Sequence, residues 1–276
     1  MVSAPTPPPI AAAPLEGGRP PGLGNALLAE WTKLRSLRSV LFTLLATVVL
    51  VLGLGALISW QLSSHYDVLT DGVWDPTSTS LSGISLGQLT LGAFGAIVVT
   101  GEFSTGMIRT TLTAVPRRGR LLAAKCIAST AVALVAGELT MWAAFLVGQQ
   151  VIGSFSDEPT APLSSPDVVR AVAGAGLYLA LICLMATAIG ALLRHSAGSI
   201  VTVVAIIFVL PLVLLALPPS WRNPVEEYWP TMAGSQIAKV VQGDHALSAW
   251  WGFGDLAAFV AVLLVVAYSV FRVRDV

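Results

Sequence analysis

The chain contains few residues whose types and spacing are associated with catalysis. Residues 83–87 read GISLG and match the Gly-x-Ser-x-Gly pattern of serine hydrolases, with Ser85 in the nucleophile position. That pattern needs a strand-turn-helix setting and a histidine within hydrogen-bond reach of the serine. Ser85 lies instead in an apolar, glycine-rich run that predicts a helix. We interpret the match as accidental and predict that the chain is not an enzyme.

Glu138, in the segment ALVAGELTMWAAF, is an ionisable residue set well inside an apolar run. A bare carboxylate within a membrane is costly and normally faces a cavity or a partner. Two interpretations stay open. Glu138 either lies in a substrate path or gate, or it has a structural role in which it is hydrogen-bonded or protonated near a membrane interface.

The sequence contains no ATP-binding phosphate loop and no cysteine pattern typical of a metal site. The GxxxxGK[ST] phosphate loop does not occur in the sequence, so the chain does not supply energy from ATP by that route. Cys126 and Cys183 both fall inside apolar runs, which predicts neither a disulfide framework nor a thiolate metal site. We expect no cofactor and no metal in this chain.

The composition indicates the kind of fold that positions these residues. The 276 residues are 55% hydrophobic and 11% charged, with a mean hydropathy of +0.80. Soluble domains carry about 25% charged residues, so the composition predicts an integral membrane protein. Basic and acidic residues number 15 each, so the net charge gives no indication of a nucleic acid partner. The lipid bilayer is the expected environment.

Six apolar runs reach or approach the roughly 20 residues that cross a hydrocarbon core as a helix. They predict an all-α transmembrane domain over residues 25–276, and residues 1–24, with seven prolines, predict a disordered tail rather than a cleavable signal. The predicted spans are 40–60, 82–100, 121–147, 168–193, 196–217 and 253–271.

The basic residues predict the orientation of the spans. Twelve of the 15 lysines and arginines fall in the terminal segments and in alternate loops. Because lysine and arginine are retained on the cytoplasmic side, both termini should be cytoplasmic, in a multi-pass protein of the plasma membrane. Three of the twelve are clustered at Arg117, Arg118 and Arg120. We interpret their role as retention on this side and contact with lipid phosphates, in preference to specific partner recognition.

Two segments on the predicted cytoplasmic side have helical periodicity. Residues 25–39, NALLAEWTKLRSLRS, predict an interfacial helix on the inner leaflet, or alternatively an extension of the first span. In loop 101–120, Ile108 and Leu112 share a face and Pro116 predicts a stop. This short helix should lie parallel to the membrane. Its apolar face would be exposed unless something covers it, and a soluble partner would do so.

Three segments resemble the permease subunits of ABC-2 type exporters. In GEFSTGMIRTTLTAVPRRGRLLAAK, a Gly-Glu pair closes the second span, and a proline, a basic pair and a lysine lead into the third. AEWTKLRSLRSV is similar to the helix before the first span in many actinobacterial members. YWPTMAGSQIAKVV resembles their last outer loop, which implies short re-entrant helices within 218–252. One departure is Met107, where many members have threonine after the glycine.

The resemblance implies a role for loop 101–120 as a coupling helix seated in a groove of a cytoplasmic ABC ATP-binding subunit. Glu102 would hold the junction, and Ile108, Arg109 and Leu112 would be in contact with that subunit. It also implies a second permease copy, as a homodimer or heterodimer, and two ATPases that bind ATP and Mg. The expected activity is export of an amphipathic or lipid-like cargo such as a drug, peptide, lipid or glycan.

The main alternative is an ion- or proton-coupled carrier that uses Glu138 as its coupling carboxylate. Such carriers usually show internal repeats and broken helices near the midplane, and neither is clear in this sequence. A non-transporting scaffold or sensor is a third alternative.

The second span is rich in glycine, which predicts close helix packing of the kind that membrane helices favour. This packing face either lines the central interface of the transporter or contacts other helices of the same chain. The glycines concerned are Gly83, Gly87, Gly92 and Gly95.

Overall fold

The computed structural model of the chain describes residues 22–64, 75–155, 160–243 and 246–274. Within these ranges the chain is helical and has no strand. In chain order the helices are α1 (Leu23–Ser36), α2 (Arg38–Ser64), α3 (Pro76–Ser80), α4 (Ile84–Ser104), α5 (Met107–Ala114), α6 (Arg118–Phe155), α7 (Pro166–Leu193), α8 (Ser196–Val204), α9 (Leu210–Leu214), α10 (Pro219–Glu227), α11 (Pro230–Ser235) and α12 (Ala249–Val273). A π-helical turn (Ala205–Val209) joins α8 to α9, and a 3-10 turn (Gln236–Ala238) follows α11.

Six helical segments are long and apolar enough to cross a membrane: α2, α4, α6, α7, the composite α8–α9 segment and α12. The predicted all-α, polytopic membrane fold is thereby confirmed. The longest of these helices, α6, has 38 residues, which corresponds to about 57 Å at 1.5 Å per residue. A hydrocarbon core is about 30 Å thick, so α6 is much longer than is needed to cross the membrane.

The centre of the bundle is α7, which packs against α4, α6 and α12. Its inward face carries large side chains that are almost completely buried, such as Tyr178, Ile182 and Met185. Small residues alternate with them, among them Gly174, Gly176 and Gly190. These small residues let neighbouring helices approach the backbone of α7 closely, in the way that helices pack in lipid.

One end of the bundle, called here the basic end, gathers the end of α4 with the arginine-bearing ends of α6, α7 and α12. Arg118 Nη1 donates a hydrogen bond to the carbonyl oxygen of Arg274 over 2.7 Å. The guanidinium of Arg194 lies 5.2 Å from the ring centroid of Phe103 and 5.8 Å from that of Phe271. The segments for which the sequence predicts a cytoplasmic location therefore lie at the same end of the molecule.

At the opposite end, the short helices before α12 fold back onto the bundle. Arg170, on α7, donates hydrogen bonds of 3.1 Å to the carbonyl oxygens of Ile237 and Lys239. The Tyr178 hydroxyl lies 3.2 Å from the carbonyl oxygen of Thr231. This segment is therefore part of the packed core and does not form a free loop.

The π-helical turn between α8 and α9 is explained by a proline. In the π register the carbonyl of Ile206 would accept a hydrogen bond from residue 211, but Pro211 has no backbone N–H. Trp229 replaces the missing donor, because its Nε1 donates to the carbonyl oxygen of Ile206 over 3.0 Å. The fifth span is thus tied to the segment that folds back at this end.

Candidate coupling site at the basic end

The first helix, α1, packs against α6. It is therefore part of the protein's core and not solely an interfacial helix. It ends where Leu37 adopts an extended conformation, which separates α1 from α2. Ala26, Glu30 and Leu34 are buried on one of its faces. Glu30 therefore points into the protein, although its charge would place it on the solvent face of an interfacial helix.

Four charged side chains from three helices form a buried cluster at the basic end, called here the ion cluster. Lys125, on α6, is completely buried, and its Nζ lies 3.0 Å from the carboxylate of Glu30 on α1. The same Nζ lies 2.5 Å from Oε1 of Glu102 near the end of α4. Lys33, on α1, also donates to Oε1 of Glu102. The ion cluster thus joins α1, α4 and α6.

The ion cluster is formally neutral, because two carboxylates face two ammonium groups. Removal of one partner from such a buried set leaves an uncompensated charge, which is strongly destabilising. Lys33 lies at the more accessible edge. Burial, and then the neighbouring Lys125 ammonium, lower the pKa of Lys33 to about 8, while the Glu30 carboxylate opposes this shift. Mildly alkaline solution therefore removes part of the charge of Lys33.

The short helix α5 follows α4 after a sharp change of direction at Gly106. Gly106 has a φ of 71°, a left-handed conformation that glycine adopts without the steric cost of a Cβ. The helix ends at Ala114, two residues before Pro116. The short helix predicted within loop 101–120 is therefore present, with the proline just beyond its end.

The apolar face of α5 is covered by the chain itself. Ile108 is only 3% exposed and packs with Val99, Val115 and Leu121 in an apolar cluster at the basic end. The expectation that a soluble partner covers this face is therefore wrong for Ile108, which the ends of α4 and α6 bury, whereas Leu112 remains half-buried. Periodicity identifies an apolar face, but it does not identify what covers that face.

The predicted contact residues of α5 are therefore in different environments. Ile108 is buried, Leu112 is half-buried at the edge of the same apolar cluster, and Arg109 is exposed to solvent. Thr110 and Thr113 are exposed on the same side as Arg109. A partner that approaches α5 from solvent would meet Arg109 and the threonines before either apolar residue.

Sequence reasoning identified Glu102 but missed its partners Glu30, Lys33 and Lys125 as site residues. One signal was present. Lys125 lies four residues inside the predicted span 121–147, where charged side chains are normally paired. Glu30 and Lys33 carry no comparable signal, because charged residues on an amphipathic helix are usually solvated.

Glu138 is far from the ion cluster. It lies 13 residues beyond Lys125 on α6, which corresponds to about 20 Å along the helix. Its Oε2 accepts a hydrogen bond of 3.2 Å from Trp142 Nε1. Its Oε1 abuts Gly176 on α7, where an added Cβ would lie 2.6 Å from that oxygen. Both carboxylate oxygens thus contact protein, an arrangement that favours the structural interpretation.

Substitution of Glu138 by glutamine tests this interpretation. The amide oxygen of Glu138→Gln keeps the acceptor for Trp142 and the shape against Gly176, so we expect an unchanged melting temperature and unchanged transport. Glu138→Leu removes the acceptor, and loss of that hydrogen bond should cost about 1 kcal/mol. Thermal unfolding and transport assays of both variants decide the question. A selective loss of transport in Glu138→Gln would instead support a role in a substrate path.

The four predicted packing glycines contact helices of the same chain. Gly83 lies against the backbone of Val51 on α2, and Gly95 lies against the backbone of Cys183 on α7. A Cβ at Gly87 would lie 3.2 Å from Leu179, and one at Gly92 would lie 3.0 Å from Val203 on α8. In this structure the glycine face of α4 is therefore a contact face among the chain's own helices.

A comparison with protein families gives a match over most of the chain. A family model described as ABC-2 family transporter protein matches residues 26–217. The matched region contains most of α1, the ion cluster, α5 and the first five spanning segments, and it ends just before α10. No curated protein sequence matches the chain. Because the matched region is well over half of the chain, the protein belongs to the ABC-2 family of transporter proteins.

Proposed function

We propose that the chain is the membrane-spanning permease subunit of an ATP-driven exporter, with both termini in the cytoplasm. In this proposal a separate ATP-binding subunit docks on the basic end and hydrolyses ATP there with its own Mg. The ion cluster is the observation that carries the proposal. It joins α1, α4 and α6 beside α5, so that a force applied at this end reaches several helices together.

The docking surface in this proposal is the solvent-exposed side of α5. Arg109, Thr110 and Thr113 offer one positive charge and two hydroxyl groups, which suits a groove with acidic and polar lining. Ile108 has a different role from the one that the resemblance implies. Ile108 lies on the buried face of α5. It therefore anchors that helix to α4 and α6 and does not itself contact the ATPase. Leu112 contacts the partner at the edge of the groove.

Movement of the ATPase would pass to the spans through the short connections of α5. The Gly106 turn attaches α5 to α4, and only three residues separate α5 from α6. Glu102 fixes the junction through its two lysine partners. Two permease copies, identical or different, would shift together between closed and open arrangements as their two ATPases close on ATP.

A pocket at the basic end supports an amphipathic or lipid-like cargo. It has a volume of about 420 Å³ and lies between the α1–α2 region and the end of α4. Glu30, Lys33 and Glu102 line it on the charged side, whereas Phe94 and Ile97 are among its apolar lining. A drug, peptide, lipid or glycan conjugate with a polar head and an apolar body has complementary chemistry. The outward direction follows from the resemblance to exporters.

Charge reversal at Arg109 tests the docking proposal. Arg109→Glu should weaken retention of the ATP-binding subunit about tenfold, equivalent to about 1.4 kcal/mol, because an acidic residue would face an acidic groove. The measurement is co-purification of the ATPase with the permease, together with the ATPase rate of the complex. Arg35→Glu, an exposed arginine of α1, is the matched control. Equal retention and equal rates for both variants would exclude α5 as the docking surface.

A further inference from the structure

An apolar groove runs along the outside of the bundle between α6 and α12, with Leu184 of α7 as its floor. Its volume is about 620 Å³. On α6 its lining begins at Leu122 and ends at Leu134, a distance of about 18 Å along the helix. Half of a hydrocarbon core is about 15 Å. The groove therefore has the length of one acyl chain in one leaflet.

The groove opens on the side of the molecule that faces lipid. Ile127 on one wall is 48% exposed, and Val265 on the other is 66% exposed. Both residues belong to helices that are long and apolar enough to span a membrane. In a bilayer this groove is in contact with lipid chains and not with water.

A second cavity, with a volume of about 550 Å³, continues from the groove at the basic end. The side chains that line it include four arginines, one of which, Arg118, also donates a hydrogen bond to the carbonyl oxygen of Arg274. The four are Arg117, Arg118, Arg120 and Arg272. The cavity also lies at the amino terminus of α6, where the helix dipole adds positive potential. Guanidinium groups bind phosphate through paired N–H donors, so this cavity suits a phosphate.

Tyr268 connects the two cavities, because it lines both of them. Its ring lies so close to Gly119 that a Cβ there would be 2.8 Å from the tyrosine hydroxyl oxygen. The guanidinium of Arg272 lies 5.4 Å from the ring centroid of Tyr268, within the range of a cation-π contact. The ring thus marks the boundary between the apolar groove and the arginine cavity.

We propose that the groove and the arginine cavity together bind one anionic glycerophospholipid. Its phosphodiester lies among the four arginines, its glycerol lies at the level of Tyr268, and one acyl chain lies between α6 and α12. The charge of the cavity selects an anionic over a zwitterionic head group, and the position of the groove selects a lipid over a soluble partner. This site is separate from α5 and from Glu138, and it does not depend on the proposed ATPase.

Native mass spectrometry of the purified full chain tests the charged part of the site. With phosphatidylglycerol and phosphatidylcholine present in equal amounts, we expect selective retention of one phosphatidylglycerol. The variant Arg117→Gln/Arg120→Gln/Arg272→Gln should bind it about fivefold more weakly for each charge removed. Arg35→Gln/Arg38→Gln removes exposed arginines outside the cavity and should bind normally. Equal retention of both lipids, or equal binding by both variants, would overturn the proposal.

A second pair of variants tests the apolar part of the site without a change of charge. Ala131 lines the groove, so Ala131→Trp should fill it and reduce retention of phosphatidylglycerol. Leu139→Trp places the same ring on an exposed position of α6 outside the groove and should leave binding unchanged. Gel filtration of each variant controls for folding. If Ala131→Trp bound the lipid like Leu139→Trp, the acyl chain would not lie in the groove and the two-part site would be wrong.

Discussion

Replacement of Lys125 by methionine should destabilise the protein by about 3 to 5 kcal/mol, the range found when one partner of a buried ion pair is removed. Lys125 is completely buried, and its ammonium contacts both carboxylates of the ion cluster. Without Lys125, the two negative carboxylates of Glu30 and Glu102 face only one positive group, the ammonium of Lys33. The expected result is a large fall in melting temperature in detergent, accompanied by faster amide hydrogen exchange in α1 as that helix detaches.

Two further variants show whether the effect comes from charge or from the loss of one long side chain. Lys125→Met/Glu30→Gln restores neutrality and leaves the ion pair between Lys33 and Glu102 in place, so the double variant should be more stable than Lys125→Met alone. Arg35→Met changes an exposed basic residue at the same end of the molecule and should have little effect. If Lys125→Met had the same melting temperature as Arg35→Met, the ion cluster would not hold α1 in place.

Much of the fold was predictable because the signal for a membrane span is local. About 20 apolar residues in a row identify a spanning helix without knowledge of its neighbours, and the six segments follow from that rule. Helix ends were less predictable. The predicted third span stops at 147, before Gln149, yet α6 continues to Phe155. The Gln149 side chain donates to the carbonyl oxygen of Pro76 and accepts from the amide of Ala161, and these partners are distant in sequence.

The candidate site was less predictable than the spans, because most of it depends on contacts between residues that are distant in sequence. Pro116 is a local signal, and the short helix that it was predicted to stop does end just before it, at Ala114. The ion cluster depends on contacts between residues far apart, since Glu30 and Lys125 are separated by 95 positions. The spacing of charges along α1 shows which residues share a face. It does not show that α6 presents a buried lysine to that face.

Replacement of Gly95 by leucine should also cause a large loss of stability, because α4 and α7 are in backbone contact there. An added Cβ would meet the carbonyl oxygen of Cys183 and would lie 3.1 Å from its Sγ. The obstructing atoms are mostly backbone, so the two helices must move apart. Overpacking costs about 1 to 3 kcal/mol and sometimes more, and here it disturbs the central helix of the bundle. The measurements are the melting temperature and the monodisperse fraction on gel filtration.

Gly53→Leu is the matched control, and the pair also distinguishes the two interpretations of the glycine face. Gly53 lies on α2, and an added Cβ there meets no atom within 4 Å. Leucine favours a helix over glycine by up to about 1 kcal/mol, so Gly53→Leu should be as stable as the parent or slightly more. If Gly95 lay at an interface between two permease copies, Gly95→Leu would change the oligomeric state and leave the melting of the isolated chain close to that of Gly53→Leu. A fall in melting temperature without a change in oligomeric state is the result expected from the contact with Cys183 within one chain.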